Sequence, residues 1–230
     1  MSNSLWPRAI LFDLDGTLID SAADIHAAVN ELLSVNGYAP LPFDRVKAMI
    51  GHGTRKLVER AFLAVGVPLD EPALDAKYDQ MMPIYNRHII DLTRPLPGVA
   101  ETIPALFERG VKMGVVTNKP QGPTDTVLSH FGLARYFGAV LGGDYGLPRK
   151  PAPDMLLAAL KLLGADIAEA VMVGDSEADI QSGRAAGVKT VALAGGYTNV
   201  PLDQLGADAT IPTFGDLPAA LETLRPPLPR

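Results

Sequence analysis

Ala9-Ile10-Leu11-Phe12-Asp13-Leu14-Asp15-Gly16-Thr17 is an apolar run that ends in two carboxylates and a glycine, and its reading decides the fold. Consecutive apolar residues bounded by a turn signal suit a strand buried on both faces, as in a parallel sheet. The carboxyl ends of such strands are where parallel sheets place their chemistry. Strand alternation sends Asp13 and Asp15 to the same side, one as nucleophile or metal ligand and the other as an acid two residues on. Gly16 permits a sharp turn, and Thr17 is suited to cap a helix beginning just after it. Taken alone, the same residue types also suit a surface turn.

Further apolar runs downstream end in polar loops. Val111-Lys112-Met113-Gly114-Val115-Val116 leads into Thr117-Asn118-Lys119, which offers a hydroxyl, an amide and backbone N–H groups to an anion. Lys150-Pro151-Ala152-Pro153-Asp154 opens a helical stretch from Met155 to Leu163 that Gly164 is suited to stop. On its own, Lys150 reads as a solvated lysine. Ala170-Val171-Met172-Val173 runs into Gly174-Asp175-Ser176-Glu177-Ala178-Asp179, whose acids by themselves suit the first turn of a helix. Four such loops, in this order within one chain, argue against coincidence.

Composition bounds the reading. A chain of 230 residues with 47% hydrophobic content can bury a substantial core and suits one larger domain plus a smaller one. A net charge of -6 argues against a dominant nucleic-acid surface and leaves room for a local basic pocket. The absence of cysteine excludes disulfides and thiol catalysis, and no histidine cluster competes for zinc. No apolar run approaches the ~20 residues that span a bilayer, and the start of the chain lacks a signal-peptide pattern, so cytoplasm is the expected location.

Candidate strands at Ala9–Phe12, Lys112–Val116, Ala139–Leu141, Ala170–Val173 and Thr190–Leu193 alternate with helical periodicity, which predicts an α/β sheet. The gap between the first two is too long for one crossover helix. Ile25-Ala28-Val29-Leu32-Leu33 and Leu57-Val58-Ala61-Phe62-Val65 each trace a helix face within it, and Pro72 to Ile90 predicts another helix disturbed at Pro83. The insertion therefore reads as a small helical cap over residues 19–91, with residues 1–18 and 92–230 forming the core.

The order Asp13-x-Asp15-Gly16-Thr17, then Thr117, Lys150 and Gly174-Asp175-x3-Asp179 resembles the four motifs of the haloacid dehalogenase superfamily, in its aspartate-nucleophile phosphatase branch. The resemblance spans nearly the whole chain. Leu96-Pro97-Gly98-Val99, Val115 to Pro120, Lys150-Pro151-x-Pro153 and Gly51-His52-Gly53 followed by Leu57 to Ala61 are similar to bacterial phosphoglycolate phosphatases. It implies a Rossmann-like parallel sheet core closed over by the inserted helical cap, and a phosphate monoester hydrolase whose preferred substrate is 2-phosphoglycolate. A sugar-phosphate phosphatase or phosphomutase of the same superfamily is the enzymatic alternative. A receiver-like phosphoacceptor module is the non-enzymatic one, disfavoured by the inserted cap and by a second acid that a receiver does not need.

On this resemblance Asp13 is the nucleophile that becomes an aspartyl-phosphate, and Asp15 protonates the departing alkoxide and then activates water. The Thr117 hydroxyl and the Asn118 backbone N–H hold phosphoryl oxygens, while Lys150 offsets charge on Asp13 and the phosphoryl group. A dianionic ester repels a carboxylate, so Mg2+ is expected, held by Asp13, the Asp15 carbonyl and Asp175, with Asp179 accepting from a bound water. In the cap, Gly51-His52-Gly53-Thr54-Arg55 is the expected substrate-facing piece, with Arg55 or His52 meeting a substrate carboxylate. An even alternative has Thr54 capping the next helix and Arg55 solvated. The expected partner is a small phosphorylated metabolite, with no nucleic acid and no membrane, acting on a monomer or homodimer.

Overall fold

Each apolar run becomes a strand in a computed structural model of the chain, which describes residues 6–198 and 200–226. Residues 1–5 and 227–230, the ends of the expected core ranges, lie outside the described residues. From β1 (Ala9–Phe12) the chain turns through Asp13–Thr17 into β2 (Ile19–Asp20). There follow α1 (Ala22–Val35), α2 (Phe43–Lys47), α3 (Thr54–Ala64) and α4 (Glu71–His88), and β3 (Arg94–Pro95) brings the chain back. Strands and helices then alternate: α5 (Val99–Glu108), β4 (Lys112–Val116), α6 (Gln121–His130), β5 (Ala139–Leu141), α7 (Asp154–Leu163), β6 (Ala170–Gly174), α8 (Glu177–Ala186) and β7 (Lys189–Leu193). Finally β8 (Ala209–Ile211) and α9 (Leu217–Leu224) close the described chain.

Six strands form one sheet in the order β5-β4-β1-β6-β7-β8, every adjacent pair parallel. This is the Rossmann-like α/β arrangement expected. β1 lies at its centre, Ala9 opposite both Lys112 of β4 and Ala170 of β6, and all four of its residues are fully buried. Winding runs outward to one side through β4 and β5 and to the other through β6, β7 and β8. In open parallel sheets the crevice at such a reversal, beyond the strands' carboxyl ends, is the ligand-binding place. The loops carrying Asp13, Thr117 and Asp175 all open there.

β8 escaped the sequence reading because it is short, lies at the sheet edge and buries only Ile211, so it presents no apolar run. The helix expected to be disturbed at Pro83 continues unbroken as α4, with Pro83 inside it. Burial of Leu74, Met81, Ile84 and Tyr85 along one face holds it there, and Asp70 caps its start by accepting from the Ala73 N–H at 2.9 Å. Gly164 ends α7 in the left-handed conformation, as its position predicts.

The helices between β2 and β3 pack on one another, α1 against α2, α3 and α4. The strands at either end of this insertion pair antiparallel, Ile19 opposite Pro95 and Asp20 opposite Arg94. Asp24 ties the return to the entry: fully buried, it accepts from the backbone N–H of Leu92 at 2.9 Å and Thr93 at 2.8 Å, and from the Thr93 hydroxyl at 2.7 Å. One apolar cluster runs from Ile10 and Phe12 of the sheet through Leu32 and Phe62 of the insertion. Among the described residues no helix is long and apolar enough to cross a membrane.

Candidate active site

Where β1 ends, the Asp13 N–H donates to Val173 O at 2.9 Å, so the nucleophile candidate is pinned to the neighbouring strand before its side chain emerges. Gly16 comes three residues later with φ of +88°, and a Cβ there would lie 2.6 Å from Asp175 Oδ2. Only glycine lets the first loop fold this closely over the second. Thr17 does not cap a helix, because α1 starts later, at Ala22; its hydroxyl donates instead to Asp175 Oδ1 at 2.8 Å.

Asp175 is held from the far side as well. Its Oδ2 accepts from the Tyr197 N–H at 2.7 Å, and a Cβ on Gly196 would fall 2.2 Å from the Asp175 Cβ. The Gly195-Gly196-Tyr197 segment is thus part of the site's wall. The Tyr197 hydroxyl reaches the first loop, accepting from the backbone N–H of Ser21 at 2.7 Å and Ala22 at 3.1 Å and donating to Asp20 Oδ1 at 2.8 Å.

Lys150 is buried among acids, with Nζ 2.8 Å from Asp13 Oδ1 and 2.6 Å from Asp179 Oδ1. Burial opposes its charge, but Asp13 and Asp179 outweigh that and hold the ammonium above its ordinary range. Asp179 uses its other oxygen on the Ser176 N–H at 3.0 Å and hydroxyl at 2.6 Å, closing a capping box at the start of α8. Both its oxygens are therefore engaged by protein, one on Lys150 and the other on Ser176.

Thr117 and Asn118 extend from β4 into the same crevice, both buried. The Thr117 N–H is bound to Leu141 O at 3.0 Å. Asn118 donates from Nδ2 to Gly51 O and to Lys150 O, each at 3.0 Å, joining the insertion to the Lys150 loop. Asp15 takes two donors on one oxygen: Ser21 Oγ at 2.6 Å and Lys119 Nζ at 2.9 Å both meet Oδ1. Lys119 also donates to the Tyr85 hydroxyl of α4 at 2.5 Å. Burial pushes the Tyr85 phenol up to about 12, so it stays a neutral donor near neutrality.

The site holds the carboxylates of Asp13, Asp15, Asp175 and Asp179 against the ammonium groups of Lys119 and Lys150, which leaves it short of positive charge. Burial, reinforced by Asp179, pushes Asp13 up to about 6. Burial, reinforced by Asp179 and Asp13, pushes Asp175 up to about 8. Asp13, Asp175 and Asp179 bring carboxylate oxygens within 4.8 Å of one another. Asp13 Oδ1 is buried beside Lys150 yet lacks a donor in hydrogen-bonding geometry. Hard oxygen donors, surplus negative charge and an under-satisfied buried oxygen together fit a divalent cation such as Mg2+.

Two cavities open on these residues. One of about 30 Å³ lies between Asp13, Asp15, Thr117 and Lys119 on the sheet side and Ile25, Ile50, Leu57 and Tyr85 of the insertion. The other, about 270 Å³, is lined by Asp13, Asp175, Tyr197, His52 and Arg60. His52 reaches the larger cavity with Nδ1 3.3 Å from Arg60 Nη1, and burial followed by the Arg60 charge lowers its pKa. Arg55 lines neither cavity; its guanidinium turns outward to Glu71 at 2.5 Å and Asp75 at 2.8 Å.

The structure thus gathers Asp13, Asp15, Thr117, Asn118, Lys150, Asp175 and Asp179, sets His52 at the rim and leaves Arg55 outside. Thr54 does not cap α3 either, since it is the first helical residue and Gly53 precedes it. Sequence reasoning gave no role to the side chains of Lys119, Tyr85, Tyr197 and Arg60, and weighed the loop over residues 195–198 evenly between a substrate-side loop and a plain turn. Lys119 stands beside Thr117-Asn118 and was open to notice; Tyr85 falls on the apolar face of α4 and reads only as core.

A family model described as haloacid dehalogenase-like hydrolase matches residues 10–193. A phosphoglycolate phosphatase of Caulobacter vibrioides is 41% identical over 215 residues, covering 94% of this chain and 91% of that one. One of Agrobacterium fabrum is 37% identical over 220 residues, covering 96% and 94%. Among solved structures, a predicted phosphoglycolate phosphatase from Haemophilus somnus superposes with a TM-score of 0.88 at 30% identity, covering 93% of this chain and 97% of that one.

Proposed function

The chain belongs to the haloacid dehalogenase-like hydrolase family and is a phosphatase of it, and from that premise we propose that it hydrolyses 2-phosphoglycolate to glycolate and phosphate. The observation that carries the reading is that Asp13, Asp15, Thr117 and Asn118 line one cavity beneath the insertion, with Lys150 against Asp13 and Asp175 facing the adjoining cavity that Asp13 and Asp15 also line. The relatives named above point to the same substrate.

In the first step an Asp13 carboxylate oxygen attacks phosphorus in line, and the bond from phosphorus to the glycolate oxygen breaks. Asp15 delivers its proton to that oxygen. In the second step water attacks the aspartyl-phosphate, Asp15 takes a water proton, and phosphate leaves as the Asp13 carboxylate is restored. The Thr117 hydroxyl and Asn118 N–H steady the phosphoryl oxygens, and Lys150 neutralises both Asp13 and the group it attacks. Asp13 and Asp175, with the Asp15 carbonyl, would hold Mg2+, which supplies positive charge that lets two anions meet. Asp179 keeps Lys150 in place. The insertion, residues 19–91, serves as a lid over the core formed by the remainder and excludes water during reaction. The setting is the cytoplasm, on a freely diffusing metabolite.

A magnesium-supplemented panel of phosphate monoesters, ranked by kcat/KM and including 2-phosphoglycolate and several sugar phosphates, tests this. Phosphoglycolate should lead with sustained turnover. A sugar phosphate at the head of the ranking would replace the substrate assignment, and a single burst of phosphate without turnover would remove the hydrolase mechanism.

A further inference from the structure

We infer that Lys119 is the specificity-determining residue that receives a carboxylate on the leaving half of the substrate. This rests on the phosphoglycolate reading above and assigns to it a residue that the four motifs do not contain.

Among the described residues lining the smaller cavity, Lys119 alone carries a cationic side chain. Its side chain is 1% exposed, so the charge is directed inward and not into solvent. Lys150, the other buried ammonium, is committed to Asp13 and Asp179 at the phosphoryl end. An ammonium offers three N–H bonds, and two of those of Lys119 meet Asp15 and the Tyr85 hydroxyl. A third remains for a ligand.

Substrate covalent geometry places the carboxylate at the same spot. In phosphoglycolate a single carbon separates the carboxyl carbon from the leaving oxygen, so a carboxylate oxygen lies roughly 3 Å from the atom Asp15 must protonate. A cation 2.9 Å from the Asp15 carboxylate is therefore within reach of that carboxylate too. The remaining wall contributes Ile25, Ile50 and Leu57, against which an uncompensated anion would be costly. The three arginines nearby do not line this cavity: Arg55 is turned to Glu71 and Asp75, Arg60 faces the larger cavity, and Arg149, close to Gly53, gives its Nε to Gly143 O. The Tyr85 phenol fixes the ammonium from the lid side, so the carboxylate pocket is assembled from a core lysine and a lid tyrosine.

The test compares 2-phosphoglycolate with 2-hydroxyethyl phosphate, which has the same chain length and leaving oxygen but no carboxylate, on the magnesium-loaded enzyme. Wild type should favour phosphoglycolate, and Lys119→Met should cut that ratio of kcat/KM values by about 10- to 100-fold, the scale of a hydrogen bond to a charged group. A ratio in the variant within threefold of wild type would overturn the role of Lys119 while leaving the substrate reading intact. A wild type that treats both esters alike would instead sink the substrate reading, and this inference with it. If Lys119→Met does not fold, Lys119→Gln takes its place with the same outcomes.

Discussion

The carboxyl edge of the sheet and the inserted helices handle charge in opposite ways. At the sheet edge both lysines of the site are buried and partnered across the chain: Lys119 with Asp15, 104 residues apart, and Lys150 with Asp179, 29 apart. On the insertion, ion pairs such as Arg55 with Glu71, Lys56 with Glu59 and Arg87 with Glu31 lie at the surface. Exposed pairs are screened and contribute little, whereas buried ones control protonation and position. On the proposed reading the division separates the jobs: bond making falls to the core and closure to the insertion, with the Lys119 to Tyr85 hydrogen bond joining the two.

The sharpest attempt to break this contrast is Asp13→Asn. Loss of the nucleophile should lower turnover by at least about 10⁴-fold. Stability should hold or rise, because a buried carboxylate short of positive charge is removed. Turnover near wild type would mean that the sheet edge is not where bonds are made.

A second effect separates the regions by pH. Asp13, at about 6, and Asp175, at about 8, are both raised above the reference of 3.8, so the folded, metal-free protein retains protons that the unfolded chain releases. Their stabilising contribution is complete below about pH 4 and is lost as pH rises through 6 and then 8. Mg2+ competes for the same oxygens, so the gain in melting temperature on adding saturating Mg2+ should grow between pH 5 and about 8.5. A gain that is flat across that range would detach these carboxylates from the metal site.

The smallest effect should come from the insertion surface. Arg55→Ala should change stability by no more than about 0.5 kcal/mol and leave the ratio of phosphoglycolate to 2-hydroxyethyl phosphate turnover as it was. A selective loss on phosphoglycolate would move carboxylate recognition from Lys119 to the insertion and erase the contrast.

The same contrast governs how much is legible in the sequence. Five of the six sheet strands are legible as apolar runs, because a strand covered on both faces must be apolar throughout. β8 is not, since an edge strand burying only Ile211 carries no such signature. Asp13, Asp15, Thr117, Asn118 and Asp175 are legible because they stand in the polar loops that directly succeed strands. Arg55 is less legible: beside a glycine-rich turn it suits a ligand residue or a solvated one equally, and only packing shows its guanidinium paired with Glu71 and Asp75 on α4.

The sequence by itself determined the parallel sheet, the insertion after the first strand and the acids at the strand ends, because these depend on composition and spacing over a few residues. Only the tertiary structure decided that β1 stands between β4 and β6, which brings Asp13 beside both Thr117 and Asp175. It also decided that Tyr197 clasps Asp175 and that Lys119 turns to Asp15 under Tyr85. Such contacts join residues tens to hundreds of positions apart, and a buried charge takes its partner from whatever the packing brings within reach, which no local pattern encodes.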